Sequence, residues 1–463
     1  MRSNSEAPSG SAAAAGQPIA TSTAATPSVD ALVTYFRSAA KPAGAFRVGI
    51  EQEKIGVLAG GRPVPYEGPN GIAEILSRLA TTRGFTAQGE DGHIIALARD
   101  GDRITVEPGG QLELSGGAQP TAIGCRDALL AHVAEIRDVG GAVGARFIGV
   151  GARPFGTLDE IPWLPKRRYG VMRSYFPQHG RQSRLAHHMM KVTATVQANF
   201  DYASEEEACD KVRTAYGVTS IVTALYAASP ITESRPNGYK TFRAAVWLET
   251  DEDRCGLLPF AFEPGFSFRD YVEWALDVPM FFVVRDGHYR PAGAITFRRF
   301  LREGFEGTTA TMADWEVHLS TLFPEVRLKR YIEVRGADAG PLPMALGLSA
   351  LWRGLLDDRD ARAAAWALVA GHPFADREAL RREVPRAGMA ARLGKRTMAE
   401  LAVELVRIAG EGLRRRRGGA DDLPLLEPLA AYAAAARAPA DDLLADFAAD
   451  KGDPAKLVKR WEL

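Results

Sequence analysis

Gly49-Ile50-Glu51-Gln52-Glu53-Lys54, preceded by Phe46-Arg47-Val48, reads as a β-strand that carries two carboxylates. Side chains two apart on a strand share a face, so Glu51 and Glu53 stand side by side while Val48 and Ile50 turn the other way. Paired carboxylates repel each other unless a proton, a basic side chain or a cation intervenes. Oxygen-only clusters are what Mg2+ prefers. Taken alone, the pair also suits the solvated face of an edge strand, and three further stretches bear on that choice.

The first is Ile104 to Leu114, read as one strand. Counting by two puts Glu107, Gly109, Gln111 and Glu113 on one face, with Val106, Leu112 and Leu114 on the other. Its glycines leave room for a close approach to the backbone or mark a bulge, and both readings stay open. The second, Val192 to Asp201, alternates most cleanly. Val192, Ala194, Val196, Ala198 and Phe200 are apolar; Thr193, Thr195, Gln197, Asn199 and Asp201 are polar. Amides and hydroxyls, rather than Lys and Glu, favour a lined cleft over a face in bulk water. In the third, Lys329 to Gly336, the side chains of Tyr331, Glu333 and Arg335 share a face in front of Ile332 and Val334. Five carboxylates, Glu51, Glu53, Glu107, Glu113 and Glu333, then stand on strand faces, accompanied by Gln197, Asn199 and Arg335. Uncompensated in one cleft they are prohibitively repulsive. Two or more divalent cations, most naturally Mg2+ carrying a nucleotide phosphate, resolve this, and arginine suits the phosphate's geometry.

Other features narrow the function class. The 57 basic and 57 acidic residues among 463 cancel, leaving no charge footprint for nucleic acid. No apolar run approaches the roughly 18 residues of a membrane span. Cys125, Cys209 and Cys255 are widely spaced, which argues for a reducing compartment and a cytoplasmic location. No Walker A, GxGxxG, GxSxG or HExxH pattern occurs. His187 and His188 are adjacent and so point to different faces, a poor zinc pair. Residues 1 to 28 hold almost no large apolar side chain and are expected to be a disordered tail. The tail is poor in acids and rich in Ser and Thr, as transit peptides are, but Arg2 is its only basic residue. Residues 29 to 463 are expected to form one catalytic domain, with helices from Thr121, from the Ser204–Glu207 capping box and from Thr311, and a helical portion from about 345. Arg414 to Arg417 before Gly418 reads as a glycine-capped helix end. Pro165 to Arg173 reads as a basic loop with aromatics, whose bland reading is a solvated loop.

Gly49 to Gly56, Glu107 to Gly116, Thr195 to Asn199, Arg243 through Trp247 with Asp251 to Arg254, and Phe323 to Lys329 with Glu333 to Asp338 closely resemble glutamate-cysteine ligases of the plant and proteobacterial type. The match runs in order from about residue 30 to about 440. It implies an α+β fold like the glutamine synthetase catalytic domain: a curved, mainly antiparallel sheet with surrounding helices. It implies ATP-dependent joining of the L-glutamate γ-carboxyl to the L-cysteine amine through a γ-glutamyl phosphate, in a monomer or homodimer. Carried over by position, Glu51, Glu53, Glu107, Glu113 and Glu333 are metal ligands for two or more Mg2+. Glu53 and Arg335 are catalytic, and Arg335, Gln197 and Lys329 meet ATP. Arg243, Trp247, Thr193, Met190 and Arg173 bind substrate. Plant members pair the cysteine near Cys125 with one at the position of Leu346, so their regulatory disulfide is expected to be absent. Another amine acceptor, or a non-catalytic nucleotide-binding regulator, remains as an alternative.

Overall fold

β1 (Val48–Val57) has ladder partners on both sides, which disposes of the edge-strand reading of Glu51 and Glu53. The computed structural model describes residues 26–463 apart from Gln182 and Arg417. Most of the expected tail therefore lies outside the described residues. Its last residue, Ser28, caps α1 (Val29–Arg37) by accepting from the Ala31 amide.

The main sheet adds β2 (Thr86–Glu90), β3 (His93–Arg99), β4 (Asp102–Val106), β5 (Leu112–Ser115), β6 (Arg146–Ile148), β7 (Thr195–Phe200), β8 (Val326–Leu328) and β9 (Ile332–Asp338). Its order is β8-β9-β7-β1-β5-β4-β3-β2, with β6 on the far end of β1, and every pairing is antiparallel. Asp91-Gly92 and Asp100-Gly101, all at positive φ, make the two tight turns of the β2–β3–β4 meander.

The single strand expected over 104–114 is two strands. Glu107 N donates to Gln111 O (2.9 Å) and Gly110 N to Glu107 O (2.8 Å), with Gly110 at φ 81°, so the chain reverses between Val106 and Leu112. Alternation by two does not survive a turn, and Glu107 reaches the cleft from the turn rather than from a strand face. Gly109 settles the other open choice, since a Cβ there would lie 2.2 Å from Lys191 O. It marks a close backbone approach.

Apolar side chains of β1, β5, β7 and β9, among them Ile50, Leu112, Val196 and Val334, turn to one core face, while Ile55 and Val57 pack in a second cluster with Leu457 and Trp461. Helices α2 (Ile72–Arg83), α3 (Ala122–Ala142), α6 (Glu205–Leu225) and helix Leu342–Leu356 cover the core face. Each such side chain, fully buried, contributes about 1.5–3 kcal/mol. Ser204 accepts from Glu207 N, as the sequence suggested. From Leu342 onward the chain is chiefly helical; helix Met398–Arg415 ends before Gly418 at φ 71°, and Arg417 is outside the described residues.

The basic loop is corrected. Residues 167–179 form a helix, α4 (Arg167–His179), followed by α5 (Ala186–Lys191). Lys166 at its N-cap makes no side-chain cap, and Pro177 lies inside it, so the usual start and stop marks are missing. The three cysteines are unpaired: Cys125 is buried with its thiol on Val48 O, and Leu346 packs at the core edge. No helix among the described residues is long and apolar enough to cross a membrane.

Candidate active site

The polar face of β1, β5 and β7 forms one wall of a cavity, closed by α4, α5, α7 (Phe242–Leu248) and the β8–β9 hairpin. Glu53 lies directly opposite Glu113 in the β1–β5 ladder, and Glu51 opposite Gln197 in the β1–β7 ladder. Each carboxylate is held by a neutral donor. Asn199 Nδ2 donates to Glu51 Oε1 (2.8 Å), Thr195 N to Glu53 Oε2 (3.0 Å), Thr105 Oγ1 to Glu113 Oε2 (2.5 Å) and Tyr169 Oη to Glu107 Oε1 (3.2 Å).

Those donors do not balance the charge. Burial, with Glu333 and Glu113 nearby, pushes the Glu51 carboxyl up to about 7. Burial and then Glu107 and Glu113 hold Glu53 well above the usual carboxylate range. Glu113 is raised for the same reasons, burial first. A set of half-buried oxygens that repel one another is the donor chemistry a hard divalent cation satisfies. Among the described residues no three such side chains already converge on one point.

Glu333 differs from the other four carboxylates in its company. It is fully buried, with Arg327 Nη2 at 2.6 Å, Lys329 Nζ at 3.1 Å and Arg335 in contact. Burial alone raises a carboxyl, but these three cations overcome it and hold Glu333 below the usual range. Arg327 sits opposite Glu333 in the β8–β9 ladder, so the hairpin register delivers a guanidinium to that carboxylate. Glu333 thus holds Arg327, Lys329 and Arg335 together at one edge of the cavity.

Arg335 lines the cavity and donates to Gln197 Oε1 (2.8 Å). Arg243 and Trp247 are one turn apart on α7 and both face the cavity. Arg243 Nη2 donates to Arg335 O (2.9 Å), and its guanidinium carbon is 5.9 Å from the Trp247 ring centre. The helix start is pinned by Thr241, whose hydroxyl donates to Asp338 Oδ1 (2.8 Å). Trp247 Nε1 is a buried donor with no acceptor among the described residues. Thr193 and Met190 line the same cavity, and Lys329 enters from the hairpin turn.

Arg173 is not brought there. It is exposed and lies over Trp163 (4.9 Å), because α4 turns Arg168, Tyr169 and Met172 inward and position 173 about 100° away. His187 Nε2 bonds Arg173 O (3.0 Å). Residues not singled out from sequence include Arg103, Thr105, Arg168, Tyr169 and Arg327. A helical period over 165–173 places Arg168 and Met172 on one face, but the loop reading hid it.

The profile of glutamate-cysteine ligase family 2 (GCS2) matches residues 47–460. The chain belongs to this family. A chloroplastic glutamate-cysteine ligase of Brassica juncea is 38% identical over 417 residues, 89% of this chain and 80% of that one. The Arabidopsis thaliana chloroplastic enzyme is 39% identical over 389 residues, covering 83% and 73%. The expected cytoplasmic location is overturned by these relatives, which are chloroplastic proteins. A glutamate-cysteine ligase of Francisella tularensis, solved with AMP, superposes with TM-score 0.56 at 13% identity over 90% of this chain and 87% of that one. That likeness, with the antiparallel sheet and its helices, bears out the α+β fold expected for the glutamate-cysteine ligase family.

Proposed function

We propose that this cavity carries out ATP-dependent ligation of the γ-carboxyl of L-glutamate to the amine of L-cysteine, the first step of glutathione biosynthesis. The observation that carries the reading is a wall of four mutually repelling carboxylates flanked by arginines, in a chain of glutamate-cysteine ligase family 2. Phosphoryl transfer needs charge neutralised and groups aligned more than it needs a covalent nucleophile, since the substrate's own carboxylate attacks ATP.

Glu51, Glu53, Glu107 and Glu113 would hold two or more Mg2+. When bound, these ions offset the charge of the phosphoryl group in transfer. Arg335, kept in place by Gln197 and Glu333, meets the phosphates together with Lys329, and the cavity walls keep water from the activated carboxyl. Arg243 takes the α-carboxylate of glutamate. Trp247 offers its unpartnered Nε1, and Thr193 and Met190 complete that pocket. The γ-carboxyl is thereby turned toward Glu53 and the phosphates. The γ-glutamyl phosphate is then attacked by the amine, releasing phosphate.

The test is ADP release from Mg-ATP and L-glutamate, with and without L-cysteine, and with 2-aminobutyrate or glycine in its place. Cysteine-dependent ADP release matched by γ-glutamylcysteine supports the reading. Turnover with another amine and none with cysteine would remove the acceptor assignment and keep the site; no turnover with any amine would leave a nucleotide-binding regulator.

A further inference from the structure

The cavity holds more cations than the roles above employ. Arg327, Lys329 and Arg335 all face Glu333, and Arg243 lies under the Arg335 carbonyl. Lys166 and Arg168 also line the cavity, both half-buried, and among the described residues neither has a carboxylate within ion-pair distance. Lys166 Nζ donates to the Tyr169 hydroxyl at 3.4 Å, and Arg168 lies 5.9 Å from the Phe282 ring centre, its buried Nε without an acceptor among the described residues. Glu107 and Glu113 attract Lys166 only from beyond contact, which leaves these partly desolvated cations free to close on an anion that arrives.

Their placement is firm. Between them, Arg167 turns outward: its amide donates to Glu90 and its guanidinium to Asp91 and to Gly287 O (2.9 Å). The start of α4 is thus tied to the β2–β3 turn and to the hairpin of residues 282–291, and positions 166 and 168 are held over the cavity. One turn on from Arg168, Met172 faces inward, and Met189 lines the cavity as well.

Three anionic groups come with the substrates of the proposed reaction: the ATP phosphates, the α-carboxylate of glutamate and the α-carboxylate of the acceptor. Arg335 with Lys329 answers the first, and Arg243 the second. We infer that Lys166 and Arg168 hold the carboxylate of the acceptor amino acid, with Met172 and Met189 against its side chain. Thioethers are soft and polarisable and suit a thiol-bearing side chain. Glu107 and Glu113, beyond pairing distance on the adjacent wall, leave the amine beside the carboxylates that surround the reacting centre. This inference rests on the ligase reading above and adds which residues make the acceptor an α-amino acid rather than a simple amine.

The test compares L-cysteine with cysteamine, which is cysteine without its carboxylate. Cysteine-dependent ADP release by the wild type is established first, and its absence would defeat the ligase reading itself. In Lys166→Met and Arg168→Met, kcat/KM for cysteine is expected to fall ~10–100-fold, chiefly through KM, as for loss of a charge-assisted hydrogen bond. With cysteamine the fall should be under about threefold, and the KM for ATP should move as little. Equal losses with both amines would make the pair structural and overturn the inference. A rise in the ATP KM instead would make this a phosphate site and overturn it too. If the variants fail to fold, the wild type still decides: cysteine methyl ester and cysteamine should both be poor acceptors, and turnover of either as efficient as that of cysteine would end the proposal.

Discussion

Glu53 faces a carboxylate across its own ladder, Glu113, and is further repelled by Glu107, so its charge opposes the folded state that it serves. Glu53→Gln removes that charge and keeps the shape. Turnover is expected to fall by about 100-fold or more, the scale of losing a preorganised electrostatic group, while the melting temperature holds or rises. Mg2+ alone should raise the melting temperature of the wild type and do so less in the variant; near-normal turnover in Glu53→Gln would remove it from the metal set. Arg243→Ala should raise the KM for glutamate roughly 10–100-fold and leave that for ATP within a small factor. Equal shifts for both substrates would mean that Arg243 does not anchor the amino acid. At this scale much of the site was legible, because period-two spacing puts Glu51, Glu53, Gln197 and Asn199 on one face whatever the fold. The company of Glu333 was not legible: that Arg327 lies opposite depends on the register of a hairpin, which no local spacing reveals.

Elements were read well where one rule holds along their length and badly where it breaks. β7 keeps its alternation and is a strand; 104–114 keeps the same alternation on paper yet folds back at Gly110. Pro108-Gly109-Gly110 was the visible warning. The turn is also a lever on function, since it carries Glu107 and is pressed against Lys191. Gly109→Ala would force a Cβ into the Lys191 carbonyl and is expected to destabilise the protein by about 1–3 kcal/mol, the cost of overpacking. It should also reduce turnover by displacing Glu107. Urea unfolding with a parallel ADP assay measures both, and a neutral substitution would show that the contact relaxes easily. α4 escaped notice because its boundaries carry no ordinary cap, and with it went Arg168 and Tyr169.

For the whole molecule, the strands that carry the carboxylates and the helical portion from about 345 were legible from hydrophobic period, whereas the strand order was not, since it is set by pairings such as Val48 with Phe200, far apart in the chain. The same long-range packing buries His318 from the helix that follows Thr311: its Nε2–H donates to Ala275 O (2.7 Å), and burial pushes it down to about 3. A histidine lowered in the folded state binds fewer protons than the unfolded chain, so its contribution is complete above about pH 6.5. That contribution is lost as pH falls from there toward 3, at about 1.4 kcal/mol per unit. His318→Gln lacks this term. The stability advantage of the wild type over the variant should therefore shrink in urea titrations at pH 6, 5 and 4, and an advantage that grows in acid would mean that His318 is charged in the native protein.

β1 has one further consequence. With β5 on one side and β7 on the other, its backbone amides about Glu51 and Gln52 are enclosed at the middle of the sheet. Such amides trade hydrogen for deuterium only when the whole domain opens. The strand that bears Glu51 and Glu53 is then the slowest clock in the molecule. Substrate-dependent protection will be written instead in the start of α4 and in the hairpin at 282–291, so a deuterium map read for the arrival of ligands should be read there.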